Sequence, residues 1–159
     1  MAAPEVTPPN SIPWPPILYG SAILAGVILH FVWPLPWPGG FAGEFMFMGG
    51  LIMIAAALFI DVRVYLELRK HATTILPHRS SSHLVISGPF GFSRNPIYLS
   101  NTVLTFGIGM VFGIAWMFAT GILAALAVNE LAIKREEKHL ERKFGSHWRH
   151  YRKKVRRWI

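Results

Sequence analysis

The chain contains no cysteine. This absence excludes disulfides, a thiolate nucleophile and a zinc site built on cysteine ligands, and it leaves the redox compartment open. No G-x-G-x-x-G string occurs either, so a Rossmann-type phosphate loop is not indicated. No metal site is predicted.

Basic residues are missing from the start of the chain: no lysine or arginine precedes Arg63, and eleven of the sixteen lie from Lys134 onward. The first apolar run therefore lacks the basic n-region of a cleaved signal peptide. The net charge of +8 is gathered in two patches that flank apolar runs. Such patches are typical of the cytoplasmic face of a membrane protein. We therefore predict membrane lipids, and no nucleic acid, as their partner.

Long apolar runs dominate the chain, which is 52% hydrophobic and only 15% charged over 159 residues. About 20 apolar residues suffice for a helix to cross the hydrocarbon core of a bilayer. The sequence predicts a flexible proline-rich tail, 1–16, and one all-α membrane domain, 17–159. Four transmembrane helices are predicted at 17–33, 41–60, 97–112 and 114–133. His30, the one ionisable residue of the first run, is interpreted as an interfacial or helix-bonded histidine rather than a ligand.

Two short turns separate these runs on one side of the predicted membrane, PLPWPGG at 34–40 and Gly113. Neither turn contains lysine or arginine, whereas the connection 61–96 and the region after the fourth run contain all of them. The positive-inside rule places the basic segments in the cytoplasm. We therefore predict an integral multi-pass protein with both termini and the active site on the cytoplasmic side.

The stretch GPFGFSRNPIY, Gly88–Tyr98, is the first candidate for a site. It places glycines, an arginine, an asparagine-proline pair and a tyrosine at the end of a long polar connection that begins at His71. Connections of this length in a small protein are more often functional than idle. A plain cytoplasmic loop would explain Arg94 as a basic anchor and Pro96 as the first residue of a helix.

Two adjacent glutamates give the second candidate. The fourth run is predicted to continue into the cytoplasm as a helix, and at about 100° per residue both glutamates fall on its apolar face. That face is predicted to contain Asn129, Glu130, Ile133, Glu136, Glu137, Leu140 and Phe144. The opposite face is predicted to contain Lys134, Arg135, Lys138 and Arg142. A carboxylate turned inward needs a cationic partner, which would be Arg94 or a bound cation.

The last segment of the chain, HWRHYRKKVRRWI, follows Gly145, which is predicted to end the preceding helix. It has apolar residues at helical spacing among basic ones. This pattern is typical of an amphipathic helix that lies on anionic lipid. We therefore predict a C-terminal amphipathic cytoplasmic helix.

The strings LVISGPFGFSRNPIYL and REEKHLERKFGSHWRHYRKKV together resemble the isoprenylcysteine carboxyl methyltransferase and phospholipid methyltransferase superfamily of integral membrane enzymes. The likeness covers about 82–155, including the spacing from Tyr98 to Glu136. It implies S-adenosyl-L-methionine bound on the cytoplasmic side and methyl transfer to a lipophilic acceptor. The implied acceptors are a prenylcysteine carboxylate, a phospholipid amine or another small apolar substrate.

The resemblance also implies the residues that line the cofactor. They are Ser82, His83, Leu84, Val85, Gly88, Phe90, Arg94, Asn95, Pro96, Tyr98, Glu136 and Glu137. Three are predicted to be catalytic: Glu136 or Glu137 would pair with the ammonium or sulfonium of the cofactor, and Arg94 with its carboxylate. The chain departs from many carboxyl methyltransferases in having Asn95 for histidine, Phe90 for tyrosine and Ala132 for a basic residue. The accepting group therefore stays open.

Two other functions are compatible with the sequence. Sterol reductases of similar membrane architecture have a related Arg-His-Pro-Asn-Tyr string, so an NADPH-dependent membrane reductase is one alternative. A non-catalytic membrane scaffold, whose loop and last helix bind a partner, is the other. The glutamate pair followed by Phe144, Gly145 and Tyr151 favours the methyltransferases. The sequence does not indicate the oligomeric state.

Overall fold

The fold was analysed in a computed structural model, which describes residues 13–71 and 84–159. All regular elements in these two ranges are helical, as the apolar runs predicted. The helices are α1 (Trp14–Val32), α2 (Gly40–Lys70), α3 (Pro96–Phe112), α4 (Trp116–Val128), α5 (Lys134–Phe144) and α6 (Ser146–Lys154). A 3₁₀ turn (Gly88–Gly91) precedes α3, and a π-helical turn (Asn129–Ile133) joins α4 to α5.

The first helix begins at Trp14, earlier than the predicted boundary at residue 17. Pro15 and Pro16 occupy its first turn, where the missing backbone N–H of a proline leaves no helical hydrogen bond unmade. Residues 14–16 therefore belong to the helix and not to the predicted tail. The tail up to residue 12 lies outside the described residues.

Small residues bring α2 and α3 close together. A Cβ atom at Gly50 would lie 2.8 Å from the carbonyl oxygen of Gly107, and a Cβ atom at Gly107 would lie 2.9 Å from Cγ1 of Ile54. Ala57 is fully buried in the same helix. Close backbone approach at small residues is a common basis of helix packing in membranes.

The two turns without basic residues lie together at one end of the bundle. Gly113 ends α3 in a left-handed conformation, with φ +69, and the ring of Trp37 packs 3.3 Å from the position of a Cβ atom there. Trp116 Nε1 donates a hydrogen bond of 2.7 Å to the carbonyl oxygen of Trp33. The Gly88–Tyr98 stretch, α5 and α6 lie at the opposite end, where the backbone N–H of Arg94 bonds the carbonyl oxygen of residue 156.

Three helices are long and apolar enough to cross a membrane: α1, α2 and the continuous helix Trp116–Phe144. The third predicted span, 97–112, corresponds to α3, an apolar helix of 17 residues that is shorter than these. Large apolar side chains such as Phe31, Phe45 and Leu123 point outward from the bundle. The chain therefore has the architecture of an integral membrane protein.

The helix continues from α4 into α5, as predicted, but the π-helical turn changes its phase. Glu130, expected on the apolar face, is exposed and forms an ion pair of 2.6 Å with Lys134. Ile133 is fully buried, as predicted, and so is Ala132, which was not predicted on that face. A π turn inserts extra chain into one helical turn, so residues before it are rotated relative to those after it. The prediction for Glu130 was therefore wrong, because it assumed one uninterrupted α-helical period.

Candidate functional site

The motif loop, which we define as residues 84–95, is anchored on the polar C-terminal end of α2. Ser87 Oγ donates a hydrogen bond of 2.5 Å to Oε1 of Glu67, a residue that is 8% exposed. Gly88 adopts φ +59, and a Cβ atom there would lie 3.1 Å from the Glu67 carboxyl group. Val85 packs against Val64 in a small buried cluster. These contacts explain a glycine at position 88 and fix the loop against the bundle.

Residues 155–159, which we call the closing segment, pair with the motif loop. The backbone carbonyl oxygens of the closing segment accept hydrogen bonds from the loop. The backbone N–H of Arg94 donates to the carbonyl oxygen of Arg156 over 3.0 Å. Asn95 Nδ2 donates to the carbonyl oxygen of Arg157 over 2.9 Å, and Ser93 Oγ donates to the same oxygen over 3.3 Å. The amide side chain of Asn95 therefore holds protein backbone.

A carboxylate between two guanidinium groups forms the centre of the site. Glu137 Oε1 lies 3.2 Å from Arg94 Nη1. Arg157 binds the same carboxylate with two hydrogen bonds, Nε to Oε1 at 3.0 Å and Nη2 to Oε2 at 2.7 Å. Arg157 Nη1 also donates to Oδ1 of Asn129 over 3.1 Å. The prediction from helical phase that Glu137 faces inward, toward Arg94, is confirmed. The carboxylate and the two guanidinium groups together have one net positive charge.

The electrostatic surroundings of the two arginines differ. The side chain of Arg94 is only 9% exposed, and burial lowers its pKa. The side chain of Arg157 is 32% exposed, and its hydrogen bonds to Glu137 raise its pKa. Both guanidinium groups remain charged, because arginine titrates far above physiological pH. The site therefore offers fixed positive charge to a ligand.

Arg94 has hydrogen-bonding capacity to spare. Its Nε and Nη1 atoms are buried and make no hydrogen bond within the described part of the chain, since the ion pair with Glu137 lacks hydrogen-bond geometry. A buried donor without an acceptor costs about 1–3 kcal/mol. The guanidinium group is therefore suited to bind an oxygen-rich anion, and a carboxylate matches its fork of donors.

The second glutamate has a different partner. Tyr98 Oη donates a hydrogen bond of 2.6 Å to Oε1 of Glu136. The carbonyl oxygen of Tyr98 accepts a hydrogen bond of 3.0 Å from Tyr19 Oη, which ties this pair to α1. Tyr98 is 8% exposed and belongs to the core cluster that includes Ala132. The sequence placed Tyr98 and Glu136 at the same site, and the structure shows them in direct contact.

The aromatic residues of α6 face the protein, which corrects the expectation that they lie on lipid. Trp148 is 2% exposed and Tyr151 is 6% exposed. Tyr151 Oη donates a hydrogen bond of 2.6 Å to the carbonyl oxygen of Phe90, and burial raises its pKa, so the phenol stays protonated. The backbone at Gly145, with φ +52, turns α6 back over the motif loop. The exposed residues of α6 are mainly basic, and Arg149 is one of them. This side of the helix can still face an anionic surface.

An apolar pocket of about 580 Å³ adjoins the charged cluster. Its walls come from α3 and α4, and its polar end from the cluster and the closing segment. It is lined by Arg94, Thr102, Phe106, Ile122, Ala125, Leu126, Asn129, Arg157 and Trp158. A ligand in this pocket would have apolar surroundings along most of its length and two guanidinium groups at one end.

The structure brings most of the predicted site residues together. Arg94, Asn95, Tyr98, Glu136 and Glu137 form the cluster and its immediate supports, and Pro96 begins α3. The predicted residues Leu84, Val85, Gly88 and Phe90 belong to the loop that α2 and α6 hold in place. Ser82 and His83 lie outside the described residues. His30 lies in the last turn of α1, in edge-to-face contact with Phe31, toward the end opposite the cluster.

Sequence reasoning missed Arg157 and Trp148 as residues of the site. It also missed that Asn129 is a partner of Arg157. The string RRWI offered no signal that distinguishes Arg157, because it lies among many basic residues of the last segment. Trp148 was assigned to a lipid-facing stripe, and only the turn at Gly145 reverses that assignment. Within 13–71 and 84–159, no group of three or more histidine, aspartate or glutamate side chains is placed to hold a metal ion.

Comparison with known proteins identifies the family. The sequence model of the phospholipid methyltransferase family matches residues 45–147, which are well over half of the chain. The chain belongs to this family. It is thereby a member of the isoprenylcysteine and phospholipid methyltransferase superfamily, as the motif resemblance predicted. The matched region includes the motif loop, the glutamate pair and the start of α6.

A relative from Haemophilus influenzae is 46% identical over 46 residues, which are 29% of this chain and 70% of the relative. It is described as an uncharacterized protein. This similarity therefore adds no information about a substrate. The family indicates a membrane methyltransferase.

Proposed function

We propose that the protein transfers a methyl group from S-adenosylmethionine to a lipophilic acceptor that enters from the bilayer. Membership of the phospholipid methyltransferase family supports methyl transfer. The observation that carries the proposal furthest is the cluster of Arg94, Glu137 and Arg157 at the polar end of an apolar pocket. This arrangement suits a charged cofactor and an apolar acceptor that meet at the membrane surface.

The residues present fit the amino acid end of the cofactor. The Nε donor of Arg94, which makes no hydrogen bond within the described residues, suits its carboxylate, and Glu136 suits its ammonium group, since both oxygens of Glu137 already accept bonds from Arg157. When bound, the cofactor supplies a sulfonium methyl group that is already activated for transfer. Glu137 then acts by holding Arg94 and Arg157 in place.

The walls of the pocket fit a lipophilic acceptor. Phe106, Ile122 and Leu126 provide apolar contacts between α3 and α4. The protein needs mainly to hold donor and acceptor in line, about 3–3.5 Å apart, and to keep water away. Arg157 and Trp158 of the closing segment line the polar end of the pocket and serve this second purpose. The acceptor can be a prenylcysteine carboxylate, a phospholipid amine or another small apolar molecule.

We also propose that α3 crosses the membrane, which gives four spans with both termini and the site in the cytoplasm. The Pro96 end of α3 lies beside the cluster, and its Gly113 end lies beside Trp37 at the opposite end of the bundle. Its 17 residues reach about 26 Å at a rise of roughly 1.5 Å per residue, close to the hydrocarbon thickness of about 30 Å.

This topology predicts that a reporter fused after residue 159 lies in the cytoplasm. A reporter inserted at the turn around Gly113 should lie on the other side, because neither short turn contains a basic residue. Alkaline phosphatase and green fluorescent protein fusions measure both positions. Alkaline phosphatase activity from a fusion after residue 159 would place that end outside the cytoplasm. This result would contradict the four-span arrangement.

Titration of the detergent-solubilised protein with two ligands tests the proposed function. We expect S-adenosylhomocysteine to bind and NADPH not to bind, because the cluster matches an amino acid carboxylate. Binding of NADPH alone would support the membrane reductase alternative. Binding of neither ligand would support a scaffold without catalytic activity. Methyl transfer to candidate acceptors in lipid nanodiscs would then identify the accepting group.

A further inference from the structure

Trp148 occupies an unusual position for a residue of a basic surface helix. It is 2% exposed and is the largest of the fully buried side chains in the described residues. The guanidinium carbon of Arg94 lies 5.5 Å from the centre of its ring. Tryptophan is the aromatic side chain that attracts a cation most strongly, and the attraction grows when water is excluded. The ring and the guanidinium group therefore form a buried cation–π pair.

The orientation of Arg94 depends on few contacts. An arginine side chain has about 2 kcal/mol of rotamer entropy to lose, and a fork of hydrogen bonds usually fixes its plane. Within 13–71 and 84–159, Arg94 shows no such fork, since its ion pair with Glu137 is without hydrogen-bond geometry. The face of Trp148 is thus the contact that sets the plane of the guanidinium group while Nε stays available.

The ring itself is held in a fixed place relative to the motif loop. Trp148 meets Tyr151 edge to face, with ring centres 5.6 Å apart. Tyr151 in turn bonds the carbonyl oxygen of Phe90 in the loop that contains Arg94. The indole Nε1 makes no hydrogen bond within the described part of the chain, so the aromatic face is what Trp148 contributes.

We propose that Trp148 is a positioning residue that orients Arg94, so that the Nε donor of Arg94 faces the carboxylate of the cofactor. This inference rests on the proposed function. It assigns to α6 the task of supporting the site from the cytoplasmic side. Trp148 acts through Arg94 and does not itself touch the carboxylate.

Two ligands that differ only in the amino acid portion test this role by calorimetry. S-adenosylhomocysteine has the carboxylate and the ammonium group of the amino acid, and 5′-methylthioadenosine is the nucleoside thioether that lacks both. We expect Trp148→Leu to weaken binding of S-adenosylhomocysteine roughly tenfold, which is the size of a desolvated cation–π contact. The same substitution should weaken binding of methylthioadenosine less than about twofold, since this ligand does not use Arg94. Trp148→Phe keeps an aromatic face and should restore most of the affinity. Retained binding of methylthioadenosine shows that each variant is folded.

A double-mutant comparison separates positioning from general packing. In an Arg94→Ala background, Trp148→Leu should cause no further loss of S-adenosylhomocysteine binding, because residues that act as a unit are not additive. Trp37→Leu is the matched control, since this ring stacks on Phe118 at the other end of the bundle and should leave the affinity ratio of the two ligands unchanged.

Three results would overturn the inference. They are equal loss of both ligands in Trp148→Leu, wild-type affinity for both ligands in that variant, and additive losses in the double variant. A wild-type protein that binds neither ligand would be a different result, because it would overturn the proposed function and with it the role of Trp148.

Discussion

Arg94→Lys is expected to weaken S-adenosylhomocysteine binding by about 10- to 100-fold, while the protein still inserts and folds. Two parallel hydrogen bonds to a carboxylate need the planar guanidinium fork, which an ammonium group cannot reproduce. Lysine keeps the positive charge beside Glu137, but it loses the fork and the planar contact with Trp148. The loss corresponds to about 1.5–3 kcal/mol, the range for a hydrogen bond to a charged group. Isothermal titration calorimetry of the detergent-solubilised variant measures it.

Arg135→Lys provides the matched control for this prediction. Arg135 is exposed at the start of α5, so the same substitution there should leave the affinity unchanged. If Arg94→Lys also binds with wild-type affinity, Arg94 is a membrane anchor and not a ligand-binding residue. The positive-inside rule counts lysine and arginine alike, so an anchor would tolerate the substitution.

Glu137→Ala is expected to lower both ligand affinity and stability, because it removes the carboxylate that two arginines share. Glu137 is 12% exposed and Arg94 is 9% exposed, so the substitution leaves a buried positive charge without its partner. Breaking such a pair typically costs about 3–5 kcal/mol. Thermal unfolding in detergent should show a lower midpoint, and calorimetry should show loss of S-adenosylhomocysteine binding at least as large as in Arg94→Lys.

Two neighbouring substitutions sharpen this test. Lys138→Ala changes the next residue of α5, which is exposed, and should have little effect on either measurement. Glu136→Ala leaves the arginine pair intact but removes the acceptor of the Tyr98 hydroxyl, so it should weaken ligand binding with a smaller loss of stability. Equal binding of S-adenosylhomocysteine by Glu136→Ala, Glu137→Ala and Lys138→Ala would refute the argument from helical phase.

The sequence alone predicted much of the fold because the membrane imposes simple rules. The four apolar runs gave all the helices of the bundle, and the prolines, Gly113 and Gly145 marked most of their ends. Helical phase turned Glu137 inward and Lys138 outward. These features depend on residues close together in the sequence, so periodicity and turn chemistry are enough to find them.

The sequence by itself also established the family, through the motif loop and the glutamate pair. Only the tertiary structure decided which partner each charged residue has. The π-helical turn moved Glu130 to the surface, and the turn at Gly145 brought Trp148 beneath Arg94. Arg157 was one basic residue among many until the closing segment packed against the motif loop. A contact between residues distant in the chain depends on how whole helices pack, and the local pattern around either residue does not contain that information.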